Sequence, residues 1–361
     1  MKILFLTKYP ESQASSRYCV YQYLDYFRNE GIELDVEPFY SESTYRTIFG
    51  KRFFGLKLLA FLACVIFRLR WLFRLGNYDL VVSHRECIPI GPPWFERIVR
   101  WRGKPFVLIY DDALFLFKKS PTSRIFDWFK NPDRYLKLFR LASITIGTND
   151  YLANVPTEYG GQGRKLKIGE DTRKYKPLGI YKRTPITIGW VGSGSTEKYL
   201  EIIREPLEKL GKKHGDSIQL TIVGGGSFSL DHLAVVQHQW SFDEEVELLQ
   251  SIDIGIMPLP DDEWSLGKSG GKARLYMACG IVPVATGIGF NSELIQHRLN
   301  GILISNIDDW YSSLEELIVD TSLRRQLSEA ARIKIKEELS IDVTGKEYLR
   351  LLNDAIHLES N

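Results

Sequence analysis

The chain has 361 residues, 44% of them hydrophobic and 25% charged, which is long enough for two domains that each bury a core. A formal net charge of +2 is close to balance, so whole-chain charge gives no reason to expect a nucleic-acid partner. The four cysteines, Cys19, Cys64, Cys87 and Cys279, fall in no CxxC or zinc-like spacing and read as reduced, small apolar residues of a cytosolic protein.

Taken in chain order, Met1–Thr7 is too short an apolar run for a signal peptide and lacks a small-residue cleavage site. It reads as a first buried strand, and the expectation is a cytoplasmic protein. Strands are expected at Ile3–Leu6, Glu33–Glu37, Leu80–Ser83, Phe106–Tyr110 and Ser143–Gly147, with helical patterns between several of them. One such pattern runs from Tyr18 to Glu30 and stops at Gly31. The most apolar segment, residues 51–74, mixes aromatics and aliphatics with Lys and Arg. Its uncharged part, 58–67, is too short to span a bilayer. Two readings stay open: a helix lying on an anionic membrane surface, or a buried helix with cationic ends reaching water.

Lys176–Pro185, with two prolines, a glycine and three basic residues, reads as a linker. Beyond it the pattern restarts. Strands are expected at Ile186–Val191, Gln219–Val223, Ile252–Met257, Val282–Ala285 and Gly301–Ile304. Helices are expected at Lys198–His214, Asp243–Ser251, Lys272–Cys279, Ser292–His297 and Ile307–Glu316. This alternation is that of doubly wound parallel sheets, giving an α/β fold with domains at 1–178 and 186–322. Residues 323–361 form a charged helical tail expected to pack back on the first domain.

Ligands of open α/β sheets bind at the carboxyl ends of the strands. The first strand of the second domain runs into Gly192-Ser193-Gly194-Ser195, a GxG with Glu197 where a dinucleotide fingerprint needs its last glycine, which argues against NAD. Gly224-Gly225-Gly226 adds a flexible turn on the same edge. Lys268-Ser-Gly-Gly-Lys272 places two lysines four apart around two glycines ahead of a helical run. They share a face if the segment is helical, and a helix N-terminus with such charges suits a phosphate or diphosphate. In the first domain, Ser15-Ser16-Arg17 leads into a helix.

These residues resemble a family. Met257-Pro-Leu-Pro-Asp261, Trp264, Gly267-Lys268, Lys272, Tyr276-Met-Ala-Cys-Gly280, Pro283-Val284, Gly289–Glu293 and Asn300-Gly301 are similar to the second-domain signature of the group one, glycosyltransferase family 4-like enzymes, retaining transferases of the GT-B fold. Ser15-Ser16-Arg17-Tyr18, Tyr110-Asp111-Asp112 and Asp171–Pro177 fit the same branch. The resemblance implies two Rossmann-like domains facing across a cleft, acceptor side first and donor side second. It implies transfer of a hexosyl group from a UDP- or GDP-linked sugar to a glycan or lipid-linked acceptor, as in polysaccharide biosynthesis, with retention. No cofactor or catalytic metal is expected, since Asp111-Asp112 and Asp261-Asp262 are adjacent pairs and not Asp-x-Asp.

On that resemblance Lys268 and Lys272 stabilise the leaving diphosphate, with donors from Gly192, Ser193, Gly194 and Ser195. Gly289, Asn291 and Glu293 meet the donor sugar; the plain alternative for Glu293 is a carboxylate favoured by a helix N-terminus. Asp111 and Asp112 orient or deprotonate an acceptor hydroxyl, or cap a helix. Ser15, Ser16, Arg17 and Arg85 lie on the acceptor or phosphate side, while His84 reads as packing. The chain departs from the family in having Gly267 and Leu275 where many members carry two glutamates, and no arginine in the Gly189–Thr196 loop, where Lys198 is a substitute at unusual spacing. A sugar-nucleotide-binding protein or epimerase without transferase activity is the alternative.

Overall fold

The computed structural model describes residues 1–116, 133–179 and 184–360. The chain divides into two compact units, Met1–Gly169 together with Ile341–Asn361, and Glu170–Ser340.

The first unit holds six strands, β1 (Lys2–Thr7), β2 (Glu33–Pro38), β3 (Leu80–His84), β4 (Phe106–Tyr110), β5 (Ile144–Gly147) and β6 (Gly163–Lys165). They pair in parallel in the order β2-β1-β3-β4-β5-β6, with Ile3 opposite Leu34 on one side and Leu80 on the other. The central strands are mostly apolar and buried along their whole length because helices cover both faces of a parallel sheet. Chain order reverses between β1 and β3, so the crevice for a ligand opens at the carboxyl ends of those two strands. β6, Gly-Arg-Lys, is a polar edge strand that hydrophobic patterning does not announce.

The second unit repeats the plan with β7 (Ile186–Val191), β8 (Ile218–Val223), β9 (Val235–His238), β10 (Ile254–Met257), β11 (Val282–Thr286) and β12 (Ile302–Ile304). The order is β12-β11-β10-β7-β8-β9, all parallel, and the reversal falls between β7 and β10. Its core joins Ile188, Trp190, Leu220, Ile254 and Val284 of the sheet to Leu207, Leu210, Trp310 and Leu314 of the helices.

The division differs from the expected boundaries at two places. Residues 170–178 lie with the second unit: Arg332 donates to the Thr172 and Tyr175 carbonyls at 2.7 Å each, and the Tyr175 hydroxyl donates to Glu245 at 2.6 Å. The tail splits. Its Thr321–Glu338 helix stays with the second unit, Arg332 also reaching the Ala278 carbonyl at 2.5 Å. The Ile341–Ser360 helix belongs to the first, where Tyr348 packs edge-on against Tyr23 and Phe27 at 5.2 Å and donates to the Cys19 carbonyl. Of the expected linker 176–185, residues 180–183 lie outside the described residues.

Several helices are shorter than their patterns. Tyr18–Glu30 becomes Ala14–Cys19 and Leu24–Asn29 with a 3-10 turn at Tyr21–Tyr23, where the Tyr21 hydroxyl meets Thr7 Oγ1 at 3.2 Å. Lys198–His214 starts as a 3-10 segment to Ile203 before the Arg204–His214 helix, and Ser292–His297 is instead Phe290–Leu294. The Phe54–Leu69 helix carries the apolar segment. No helix among the described residues is long and apolar enough to cross a membrane.

Candidate functional site

On the second unit, β7 ends at Val191 and the backbone turns at Gly192, whose N–H donates to the Val223 carbonyl at 2.9 Å. Only glycine fits here. A Cβ would stand 2.6 Å from the Trp190 ring and 2.8 Å from Lys272 Cε, so the glycine is what lets Lys272 lie against this turn. Ser193, Gly194 and Ser195 are exposed and open the short Gly194–Glu197 helix, with the two serine hydroxyls 2.8 Å apart. Glu197, in the fingerprint's third-glycine place, has a structural task. Its carboxylate accepts from the Gly226, Ser227 and Phe228 N–H groups at 2.8–3.2 Å and from Ser227 Oγ at 2.8 Å, fixing the loop that follows β8.

The lysine pair is arranged differently from the helical-face reading. Gly270, at φ +66°, starts the Gly271–Ala278 helix, so Lys268 lies in the turn before it and Lys272 in its first turn. Both lysines still gather at the N-terminal end of that helix. Each ammonium sits over an indole: Lys268 Nζ is 4.9 Å from the Trp264 ring centre and Lys272 Nζ 5.0 Å from that of Trp190. Beneath them Arg274, fully buried, donates to Glu170 at 2.9 Å and to the Ser269 carbonyl, which ties the lysine turn to the body of the unit. Neither the Trp190 indole nor this buried pair could be assigned from spacing, since Trp190 lies 82 residues from Lys272 and Glu170 lies 104 residues from Arg274.

After β11 the chain passes Gly289 at φ +56°, where a Cβ would press within 2.9 Å of the Ser265 and Leu266 carbonyl oxygens. Asn291 is buried, and its amide donates to the Thr286 carbonyl at 3.1 Å. It holds the loop, while Glu293, two residues on, is half-buried.

On the first unit, the carboxyl edge carries a dense polar network. Arg85 adopts φ +64°, a left-handed conformation rare for a side-chain-bearing residue, and its N–H donates to the Ile109 carbonyl at 2.8 Å. Its guanidinium donates to Asp111 Oδ1 through Nε and Nη2 at 2.9 and 2.7 Å, and to Asp112 Oδ2 at 2.8 Å. Ser15 Oγ donates to Asp111 Oδ2 at 2.6 Å, His84 Nε2 lies 3.5 Å from Asp111 Oδ1, and Ser16 Oγ meets His84 Nδ1 at 3.2 Å. Burial works to raise the Asp111 carboxyl, but Arg85 and the hydrogen bonds from His84 and Ser15 outweigh it and hold it well below the usual range. Burial lowers His84, against the pull of Asp111, and keeps the imidazole neutral near pH 7. His84, read from sequence as packing, is therefore a member of this network.

Arg17 is buried with its guanidinium over the Tyr18 ring at 4.9 Å, and Ser16 is fully buried. These two side chains support the loop; Ser15 and Asp112 remain part-exposed. A second buried cluster adjoins the edge: Glu86 accepts from Lys8 at 2.6 Å and from the Tyr135 hydroxyl at 2.5 Å. Burial raises the Glu86 carboxyl, yet Lys8 and Arg134 bring it down to about 2. Among the described residues Cys19, His84 and Asp111 bring ligand-type atoms within 4.8 Å of one another. Arg85 already neutralises Asp111 there, so a divalent ion would sit against a guanidinium. Of the adjacent acidic pairs, Asp262 is engaged as a helix cap, accepting from the Ser265 N–H at 2.8 Å.

Residues 185–320 match the family model described as Glycosyl transferases group 1. No curated protein matches the chain in sequence. Among solved structures, the chain is similar to sucrose-phosphate synthase from Thermosynechococcus elongatus, at 12% identity and a TM-score of 0.70 over 99% of both chains. It is similar to Anabaena HepE in complex with UDP-glucose, at 16% identity and a TM-score of 0.70 over 98% of this chain and 100% of that one. The lipopolysaccharide outer core galactosyltransferase WaaB, apo form, aligns at 15% identity and a TM-score of 0.63 over 99% of both. The stretch 185–320 is thus a group 1 glycosyltransferase domain, and the chain is a transferase enzyme built on the GT-B fold.

Proposed function

We propose that the chain moves a hexosyl group from a nucleoside-diphosphate sugar to a glycan or lipid-linked acceptor, with retention and without a divalent ion. The observation that carries this reading is the gathering of Lys268, Lys272 and the Gly192 turn at the carboxyl edge of β7, in the matched domain. Two ammonium groups beside the free N–H groups of a helix N-terminus oppose the charge that grows on a departing diphosphate. They supply the charge that a metal ion supplies elsewhere. Retention rests on the family resemblance of the 257–301 signature.

Uracil is the proposed base, by analogy with the UDP-glucose bound to HepE. Ser193 and Ser195 supply hydroxyl donors on the exposed side of the turn, and Glu293 faces the sugar. On the first unit Asp111 is a poor proton acceptor, because Arg85, Ser15 and His84 already engage its oxygens. We assign it the task of fixing Arg85 and Ser15, and assign the acceptor hydroxyl to Asp112. Gly267 and Leu275, both buried, leave no carboxylate in the family's ribose-contact place, which favours a sugar-nucleotide-binding role as the second reading.

A panel of UDP-, GDP- and ADP-sugars decides between them. The expected result is a higher melting temperature with one nucleotide and release of that nucleoside diphosphate on turnover. Binding with no release for any sugar or acceptor would establish the second reading.

A further inference from the structure

From the same structure we infer that the Phe54–Leu69 helix, with the turns on either side, docks onto an anionic phospholipid surface. Its inward stripe, the half-buried Phe61 with the buried Cys64 and Arg68, continues into the buried Trp71 of the next turn and faces the first unit: Phe61 packs on Phe39 at 5.5 Å and Arg68 donates to the Thr7 carbonyl at 2.9 Å. The opposite stripe is open to solvent. Leu59, Leu62, Ile66 and Phe67 line it, and Phe53 and Phe73 at its two ends are 90% and 87% exposed. A continuous apolar face of this kind marks an interaction surface.

Charge selects the partner. From residue 43 to residue 78 the chain has no Asp or Glu, while Arg46, Lys51, Arg52, Lys57, Arg70 and Arg74 flank or join the apolar stripe. Glu37 takes up Arg70 at 3.2 Å, and Arg46, Lys51, Arg52 and Arg74 are exposed. A second copy of this chain is a poor occupant, because a two-fold contact would set the same cations against one another. An anionic bilayer surface satisfies both halves of the pattern, with aromatic and aliphatic side chains entering the headgroup boundary and cations meeting the phosphates.

The surface is also coupled to the polar network of the first unit. Phe49, itself exposed, packs against Tyr9, Tyr40 and Tyr45, and Tyr9 lies under the Arg85 guanidinium at 5.9 Å. Arg68 is fastened to the last residue of β1, the strand whose end leads to Ser15. A bilayer held on this helix is held by the same unit that carries Asp112.

Flotation of the full chain with vesicles tests the proposal. Vesicles containing phosphatidylglycerol should carry the protein up, less so at high salt, and vesicles of phosphatidylcholine alone should not. Replacing Lys51, Arg52 and Arg74 by Gln should weaken binding about five-fold per cation, the equivalent of roughly 1 kcal/mol each. Phe53→Ser with Phe54→Ser and Phe73→Ser should abolish it while leaving the melting temperature and nucleotide binding unchanged, since all three side chains are exposed. Absence of flotation with anionic vesicles, or full flotation of the triple Phe variant, would overturn it. A concentration-dependent dimer broken by Phe54→Ser would assign the face to a second copy and overturn it equally.

Discussion

Gly289 and Asp111 show how single residues hold the two loop clusters. At Gly289 the backbone is left-handed, and a methyl group would press on the Ser265 and Leu266 carbonyls. Gly289→Ala should therefore cost about 1–3 kcal/mol, read as a lower midpoint in urea unfolding, and should weaken donor binding because the 287–293 loop shifts. Asp111 works through charge. Its carboxyl is held below the ordinary aspartate value of 3.8, so the unfolded chain binds its proton first. The stability it contributes is complete above that value and is lost as pH falls further. Asp111→Asn removes one of the two carboxylates that hold the buried Arg85, Asp112 being the other, and should cost about 1.5–3 kcal/mol at pH 7. The gap between variant and parent should narrow on acidification below about pH 4, measured by urea unfolding at each pH. A gap independent of pH would mean that Asp111 acts by shape alone.

Among the elements, the Ile341–Ser360 helix is the clearest case of a segment placed by packing. Tyr348 is fully buried between Tyr23 and Phe27, and Tyr23 also meets Thr344 at 3.0 Å. Tyr348→Ala should cost the first unit about 3–5 kcal/mol, seen as an earlier thermal transition by circular dichroism. If only the second unit's transition moved, the helix would have been placed with the wrong unit. The sequence reads well wherever burial is two-sided: the apolar runs of β1, β3, β4, β7 and β8 stand out because both faces are covered. β6 and β9 are edge strands, half or fully open, and carry no such run. A helix limit shifted where a turn was decided from outside the segment, as at Tyr21 by Thr7. The glycine turns and lysines were legible because their chemistry is local. The Trp190 indole beneath Lys272, the His84–Asp111 network and the Arg274–Glu170 pair were not, because residues distant in the chain create them.

The whole molecule is two doubly wound units, and in each the ligand crevice of such a sheet falls where strand order reverses. Net charge near zero leaves the cations to act locally, Lys268 and Lys272 at the carboxyl edge of the second sheet and a flanking set around the Phe54–Leu69 helix. The most direct measurement of the central claim is calorimetric titration of UDP into the parent chain and into the Lys268→Ala, Lys272→Ala double variant. Charge-assisted hydrogen bonds contribute about 1.5–3 kcal/mol each, so the double variant should bind at least about a hundred-fold more weakly at an unchanged melting temperature. Equal affinity in the two proteins would contradict the assignment of this edge to the donor diphosphate.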